Sequence, residues 1–106
     1  MMITMQYLKQ EELDKLSART LPIAGWDGRT PETAYQLDQI KQFEAPSVEY
    51  LIIDLILKAS GFLFWHLDNQ TFTIEEDLKI DCLNVNAKKN GETKEFSFYF
   101  NLTLLE

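Results

Sequence analysis

Two side chains that often carry catalysis each occur once in this sequence, His66 and Cys82. A cysteine paired with an imidazole base can act as a covalent nucleophile, provided that the two side chains touch and that the thiol is exposed. His66 lies in the apolar segment 62–67, which favours a packed, hydrogen-bonded imidazole, and a lone cysteine is more typically a small buried side chain. We therefore predict no catalytic residue and no enzymatic activity.

A local cluster of acidic side chains is the second candidate for chemistry: Glu75, Glu76, Asp77 and Asp81. Carboxylates bind calcium, but the preceding segment 68–71 lacks the alternating oxygen ligands and the glycine of an EF-hand loop. No spacing supports a glycosidase pair. The cluster then forms either an electrostatic patch for a basic partner or a solvated loop. Since His66 has no second histidine at ligand spacing, we predict no metal and no cofactor.

The strongest local pattern that could position these residues is a helix at 46–59. Its apolar residues recur at the three-and-four spacing of one helical face: Val48, Ile52, Leu55, Ile56 and Ala59. Ser47 is the predicted N-cap, Glu49 the anion favoured by the helix dipole, and Gly61 the left-handed stop. A second apolar strip, which includes Ile53, predicts that other elements cover this helix on more than one side.

The C-terminal third predicts a β-hairpin. Its second strand alternates polar residues with apolar ones: Phe96, Phe98, Phe100, Leu102 and Leu104. Asn90-Gly91 is a strong signal for a type I′ turn, which would pair Lys89 with Glu92. The apolar phase of the first strand, 78–87, changes near Cys82, and this change predicts a β-bulge there.

The remaining segments predict shorter elements. Acids early and Arg19 late favour a short helix at 11–19. Segment 34–37 is interpreted as a short strand, with a helix through Leu37, Ile40 and Phe43 as the alternative. The apolar segment 62–67 predicts a central or doubly covered strand, followed by a turn at 68–70.

Segment 21–33 is predicted to be a loop, because it contains two prolines and two glycines. Asp27-Gly28 is a turn signal, and Thr30-Pro31-Glu32 resembles the start of a helical turn. Trp26 lies between the two glycines. A tryptophan in this position either folds back onto the edge of the core or serves as an anchor for a partner.

Together these elements predict one α+β domain spanning 1–106. An antiparallel sheet, formed by the C-terminal hairpin and strand 62–67, packs against the central helix 46–59. A short N-terminal helix completes the cover. No repeat or linker composition indicates a second domain.

The charge balance narrows the classes of partner. The 106 residues carry 17 acids and 10 bases, a formal net charge of −7. Binding to nucleic acid is not expected, because affinity for phosphates comes from clustered Lys and Arg. The helix 46–59 is too short to span a bilayer, which requires about 20 apolar residues. One cysteine and no signal-peptide pattern favour the cytoplasm. The acidity suits a basic protein partner, although solubility alone would also explain it.

The succession of a Gly-rich loop, a Thr-Pro-Glu segment, a Glu-Tyr step in the central helix and a late aromatic strand resembles small bacterial domains. Domains of this size and charge are often immunity proteins of polymorphic toxin systems, including contact-dependent inhibition. The residues that carry the resemblance are Gly25, Gly28, Thr30, Glu32, Ala34, Glu49 and Tyr50. The resemblance implies a cytoplasmic protein that binds and blocks one toxin domain. It transfers no catalytic residue and no binding residue.

The sequence therefore predicts a non-enzymatic, immunity-like protein that occludes the positive cleft of a basic, nuclease-type toxin domain. The predicted partner-binding residues are Glu75, Glu76, Asp77, Trp26 and Asp27. One rival hypothesis is a small-molecule-binding module with a pocket between the central helix and the aromatic strand. A second is a homodimer or structural subunit that uses the excess of apolar residues at 62–67.

Overall fold

The computed structural model describes residues 10–17, 23–25 and 27–105. Within them lie two α-helices, a 3-10 turn and five strands: α1 (Gln10–Ser17), β1 (Ile23–Gly25), β2 (Tyr35–Leu37), the 3-10 turn (Gln42–Glu44), α2 (Ala45–Ala59), β3 (Phe64–Glu75), β4 (Leu78–Lys89) and β5 (Glu92–Asn101). The strands form one sheet in the order β1-β2-β5-β4-β3. Among these strands, only β2 and β5 are parallel neighbours. The predicted α+β class, with a largely antiparallel sheet, is confirmed.

Helix α2 supplies much of the apolar core, which it shares with the sheet and with Leu13 of α1. Its fully buried apolar side chains are Ile52, Ile53, Ile56 and Leu57. The predicted helix is confirmed, and Gly61 takes the expected left-handed conformation, with φ 90°. Ser47 is not the N-cap, however, because the helix already begins at Ala45. Pro46 occupies the first turn, where its missing N–H is no loss.

The hairpin β4–β5 forms as the sequence predicts. Asn90 and Gly91 both have positive φ, 52° and 80°, as a type I′ turn requires. Lys89 pairs with Glu92 beside the turn. Further along the same ladder, large apolar residues of β4 and β5 lie opposite one another and point into the core.

The predicted β-bulge near Cys82 is wrong. Strand β4 pairs with β5 without interruption over all their paired residues. The change of apolar phase has another cause: the apolar residues at the two ends of β4 lie on opposite faces of the sheet. The residues of β4 that point to the core are Asp81, Leu83, Val85 and Ala87. Leu78, Ile80 and Cys82 therefore lie on the opposite face, and an acid takes the first core position.

Strand β3 differs most from its prediction. Among the described strands it pairs with β4 alone and forms an edge of the sheet, so 62–67 is not a central strand. No turn interrupts it at 68–70, because a register shift between Leu67 and Asn69 accommodates Asp68 as an extra residue. Most of its side chains are exposed, including that of His66.

The N-terminal part of the described chain adds two short strands. Strand β2, Tyr35–Leu37, confirms the predicted strand at 34–37 against the helical alternative. Strand β1 lies inside the segment 21–33, which is therefore not entirely loop. At 30–33 the chain makes a turn instead of a helix, with the Thr30 hydroxyl accepting a hydrogen bond from the N–H of Thr33.

Helix α1 confirms the predicted N-terminal helix over Gln10–Ser17. Arg19, the residue expected to close this helix, lies outside the described residues. Leu13 is completely buried in the common core, so α1 packs against the domain through the side chain that its amphipathic pattern selects.

Candidate functional site

The sheet has one face packed against α2 and an opposite face that no helix of the described chain covers; we call the latter the open face. Alternation along the central strands places small polar side chains there. Its residues are Phe64, His66, Asn69, Thr71, Thr73 and Glu75 from β3, Leu78, Ile80, Cys82, Asn84, Asn86 and Lys88 from β4, and Thr93, Glu95, Ser97, Tyr99 and Asn101 from β5. The open face therefore offers hydroxyl and amide groups over its middle and an apolar patch, Leu78 and Ile80, at one end.

Hydrogen bonds organise the middle of the open face. Asn84 donates to the side-chain oxygen of Asn69 on β3 and accepts from the hydroxyl of Ser97 on β5. Asn86 lies 3.5 Å from the imidazole of His66. These cross-strand contacts join side chains of β3, β4 and β5 into one polar network.

A groove of about 510 Å³ lies at one end of the open face. Its lining residues are Pro31, Glu32, Thr73, Glu75, Leu78, Ile80, Cys82, Tyr99 and Asn101. The loop 27–34 forms one wall, because the carbonyl oxygen of Gly28 accepts a hydrogen bond of 2.9 Å from the Tyr99 N–H. Two acidic side chains, Glu32 and Glu75, thus lie on either side of a floor that contains a phenol ring. We call this feature the acidic groove.

The thiol and the phenol in the acidic groove are both held in their neutral forms. Burial raises the pKa of Cys82, and the charge of Asp81 raises it further, against an opposing hydrogen bond with Tyr99. Burial also raises the pKa of Tyr99, as do the contact with Cys82 and the charge of Glu32. A protonated thiol is a poor nucleophile. Tyr99 keeps its proton, and its hydrogen bond with Cys82 links the phenol to the thiol.

His66 and Cys82 have different polar partners. The imidazole approaches Asn86, whereas the thiol contacts Tyr99 and, at 3.8 Å, the side-chain oxygen of Asn84. The interpretation of His66 as a packed residue is wrong, since it is exposed on the edge strand. Cys82 is half-buried instead of buried.

The predicted acidic cluster divides between the two faces of the sheet. Glu75 ends β3 and lines the acidic groove, while Glu76 and Asp77 form the adjoining exposed turn to β4. These three residues constitute what we call the acidic turn. Asp81 lies on the helix-covered face and is 3% exposed, so it belongs to a different environment.

The other predicted contact residues lie on or next to the loop 27–34. Asp27 is half-buried, and its carboxylate accepts a hydrogen bond from the backbone N–H of Arg29. Trp26 lies outside the described residues, so its contact with a partner stays a prediction. Glu32 and Tyr99 were not among the predicted contact residues. The signal for Tyr99 was its place in the polar phase of β5, opposite to the phase of the buried Phe98 and Phe100.

A buried pair of acids lies on the other side of the sheet. Glu49 of α2 is 1% exposed and interacts with Asp81 of β4, whose second oxygen accepts a hydrogen bond of 2.7 Å from Gln70. Desolvation raises the pKa of Glu49 to about 9, and the hydrogen bond to Asp81 and its charge act in the same direction. If both groups were ionised, Glu49 Oε2 and Asp81 Oδ1 would have no hydrogen-bond partner. Protonated Glu49 supplies the missing donor.

This assignment corrects the role that the sequence suggested for Glu49. The carboxyl group is not an exposed anion that interacts with the helix dipole; it is a neutral acid in the core at neutral pH. Among the described residues, no group of three or more His, Cys, Asp or Glu side chains is arranged to hold a metal ion. No helix in the described ranges is long and apolar enough to cross a membrane.

Comparisons with protein-family models, with curated proteins and with solved structures find no match to this chain. The residues that carry the resemblance to immunity proteins occupy different environments. Glu49 is buried, Tyr50 is partly exposed and packs edge-on against Trp65, and Glu32 lines the acidic groove. The resemblance therefore stays a prediction, and the geometry of the acidic groove is the main basis for a functional proposal.

Proposed function

We propose that this chain is a non-enzymatic, immunity-like protein of the cytoplasm that binds and blocks a basic, nuclease-type toxin domain. The observation that carries the proposal is the acidic groove, in which Glu32 and Glu75 flank the phenol of Tyr99. A lysine or arginine side chain inserted there would meet a carboxylate on either side and an aromatic ring beneath. A cleft that binds phosphates is rich in such side chains.

The distribution of charge around β4 favours the same end of the molecule. The acidic turn, Glu75, Glu76 and Asp77, adjoins the groove and is exposed. At the opposite end of β4, around the turn at Asn90, three bases accompany two acids: Lys88, Lys89, Glu92, Lys94 and Glu95. Solubility alone does not require such an asymmetry. A one-sided negative potential would instead steer a basic partner toward the groove.

The mode of inhibition follows from the shape of this surface. The acidic turn projects beyond the sheet, and the groove lies directly behind it, so the two can enter a positive cleft together. Electrostatic attraction would govern the rate of association, while contacts with Tyr99 and the apolar floor, including Leu78 and Ile80, would slow dissociation. The toxin would be inhibited because its phosphate-binding side chains are occupied.

A matched pair of charge-reversed variants tests this proposal. Tagged wild-type chain is used to capture polypeptides from a lysate of its native host, and a salt gradient elutes them. A captured basic polypeptide is then purified, and its affinity for the chain and its nuclease activity are measured. We expect Glu75→Lys/Glu76→Lys to weaken binding at least about tenfold and to flatten the salt dependence.

The control, Glu92→Lys/Glu95→Lys, changes the net charge by the same amount at the opposite end of β4 and should bind as the wild type does. Equal affinity of all three proteins for the basic polypeptide would exclude the acidic turn as the contact. Capture that salt does not weaken, or binding that leaves the nuclease activity unchanged, would contradict the proposed function.

A further inference from the structure

Strand β3 presents a long free edge of the sheet. It has 12 residues and, within the described chain, pairs with β4 on one side only. Proteins usually protect such an edge with lysine, proline or a covering segment, because its unpaired backbone groups can accept another strand. The stretch 69–74 contains no charged residue and no proline. Within it, Phe72 and Ile74 are 43% and 62% exposed.

We propose that a second copy of this chain pairs with this edge in an antiparallel manner, about a two-fold axis that passes through Thr71. The two sheets would then join into one continuous sheet through their β3 strands. The main-chain groups on the free side of β3 would be hydrogen-bonded across the axis.

The register follows from the alternation of side chains. Opposed residues of an antiparallel pair point to the same face, and a two-fold axis perpendicular to the sheet keeps the faces of the two copies aligned. An axis at Thr71 places Thr73 opposite Asn69, both on the open face. It places Phe72 opposite Gln70, both on the helix side.

The bulge in β3 extends this match to the ends of the strand. Asp68 is an extra residue that takes no place in the ladder, so beyond it each residue of β3 lies opposite a partner one position further along than simple counting gives. Ile74 then lies opposite Leu67 on the helix side, and Glu75 lies opposite His66 on the open face. An apolar pair and an acid–imidazole pair are therefore formed, each twice by symmetry.

This self-complementarity favours a second copy over an unrelated strand. The exposed acid at one end of β3 meets the exposed imidazole at the other end, although the chain as a whole is acidic. Glu75 also lines the acidic groove, so the second copy would bring its His66 to the rim of that groove. Each groove would thus receive one residue from the other chain.

In the described chain, the other side of the sheet presents no comparable uncharged edge. Its edge strand β1, Ile23–Gly25, has three residues, compared with the 12 of β3, and β2 pairs with β5 only at Phe100 and Asn101. The part of β5 that β2 leaves unpaired begins with Glu92, Lys94 and Glu95, and charged side chains of this kind disfavour pairing with another strand. An isologous contact between two β3 strands uses the long edge of both copies and is closed.

The molar mass of the full chain, measured by sedimentation equilibrium across a wide dilution series, tests the proposal. We expect the wild type to approach twice the chain mass at high concentration. Thr71→Lys would place two lysines together at the axis and should weaken dimerisation at least about tenfold. Thr93→Lys adds the same charge at an exposed position of β5, which β4 separates from β3, and should leave the dimer intact.

A charge exchange tests the register itself. His66→Glu alone places an acid opposite Glu75 of the second copy. Glu75→Lys alone places a lysine opposite the imidazole of His66. Each single variant should therefore weaken the dimer. The double variant restores an acid–base pair and should recover most of the lost affinity. Thermal melting of each variant serves as the control that the monomer remains folded.

Three results would overturn the proposal. The first is a wild-type chain that stays monomeric at every concentration. The second is a dimer that Thr71→Lys does not weaken, and the third is a dimer that the charge exchange fails to restore. Thr71 does not line the acidic groove, so the Thr71→Lys protein should still capture a basic polypeptide if the proposed function holds.

Discussion

At the scale of single residues, the neutral acid Glu49 is the most unusual feature of this molecule. Two ionised carboxylates in the core would each lose their hydration, at an effective cost of several kcal/mol per ion. Protonation of Glu49 removes one charge and creates a donor toward Asp81. Burial therefore favours the protonated form of Glu49, and the stability of the fold depends on pH.

The direction of that dependence follows from the raised pKa of Glu49. In the unfolded chain this carboxyl group ionises near its ordinary pKa of 4.5, but in the folded protein it ionises only near 9. The unfolded state therefore releases the proton first as the pH rises. We expect the contribution of Glu49 to the free energy of unfolding to be highest below pH 4.5. Between pH 4.5 and pH 9 this contribution should fall by up to about 1.4 kcal/mol per pH unit.

Replacing Glu49 with glutamine provides the test. The amide keeps a donor for Asp81 but cannot ionise, so Glu49→Gln should raise the midpoint of urea unfolding at pH 8 and change it little at pH 5. Glu95→Gln, at an exposed position, serves as the control and should not alter the pH profile. A profile for Glu49→Gln that falls between pH 5 and pH 9 as steeply as that of the wild type would contradict the assignment.

The position of this acid pair was accessible from the sequence. Glu49 precedes Ile52, Ile53 and Ile56 at the spacing of three, four and seven residues that defines one buried helical face. Likewise, Asp81 is in phase with the core residues of β4. Charged residues are rarely buried, and this general tendency favours exposed positions for both acids. In this fold their spacing relative to the core residues is the better indicator of where they lie.

At the scale of elements, local patterns were predictable and long-range pairing was not. Helix α2 and the turn at Asn90-Gly91 are determined by residues close in sequence, so their patterns sufficed. The edge position of β3 and the parallel pairing of β2 with β5 depend on contacts between distant segments. An apolar run such as 62–67 carries no information on whether it has one neighbour or two.

Loop 27–34 is the element on which the acidic groove depends most. Gly28 has φ 71°, and its N–H and carbonyl oxygen bond to Thr33 and Tyr99. A Cβ atom at this position would overlap the ring of the fully buried Tyr35. Gly28 therefore lets the loop approach the sheet closely and brings Glu32 to the rim of the groove.

Two alanine variants separate the effect of this close approach from that of backbone strain. Gly91 has φ 80° in the hairpin turn, but a Cβ atom there would meet no atom within 4 Å. We expect Gly91→Ala to cost about 1 kcal/mol of stability from strain alone and Gly28→Ala to cost about 2 kcal/mol more, because Tyr35 must move. Chemical denaturation measures both values. Equal losses in the two variants would show that the contact with Tyr35 is not important.

At the scale of the whole molecule, the fold places its acidic residues in two different environments. The pair between α2 and β4 is a matter of stability and is hidden from any partner. The acidic turn and the acidic groove lie together at one end of the open face, where a partner can reach them. The net charge of −7 is thus only a coarse guide to where a partner would bind, since the position of each carboxyl group decides whether a partner can reach it.

The most direct test of the acidic groove is to locate where a cationic probe binds. A hexa-arginine peptide is titrated into isotopically labelled protein at low salt, and the backbone amide signals are followed by NMR. We expect the largest shifts at Thr73, Glu75, Tyr99 and Asn101, and their reversal by added salt. Shifts spread evenly over all exposed acids, or centred on Glu92 and Glu95 at the opposite end of β4, would contradict a specific cation-binding groove.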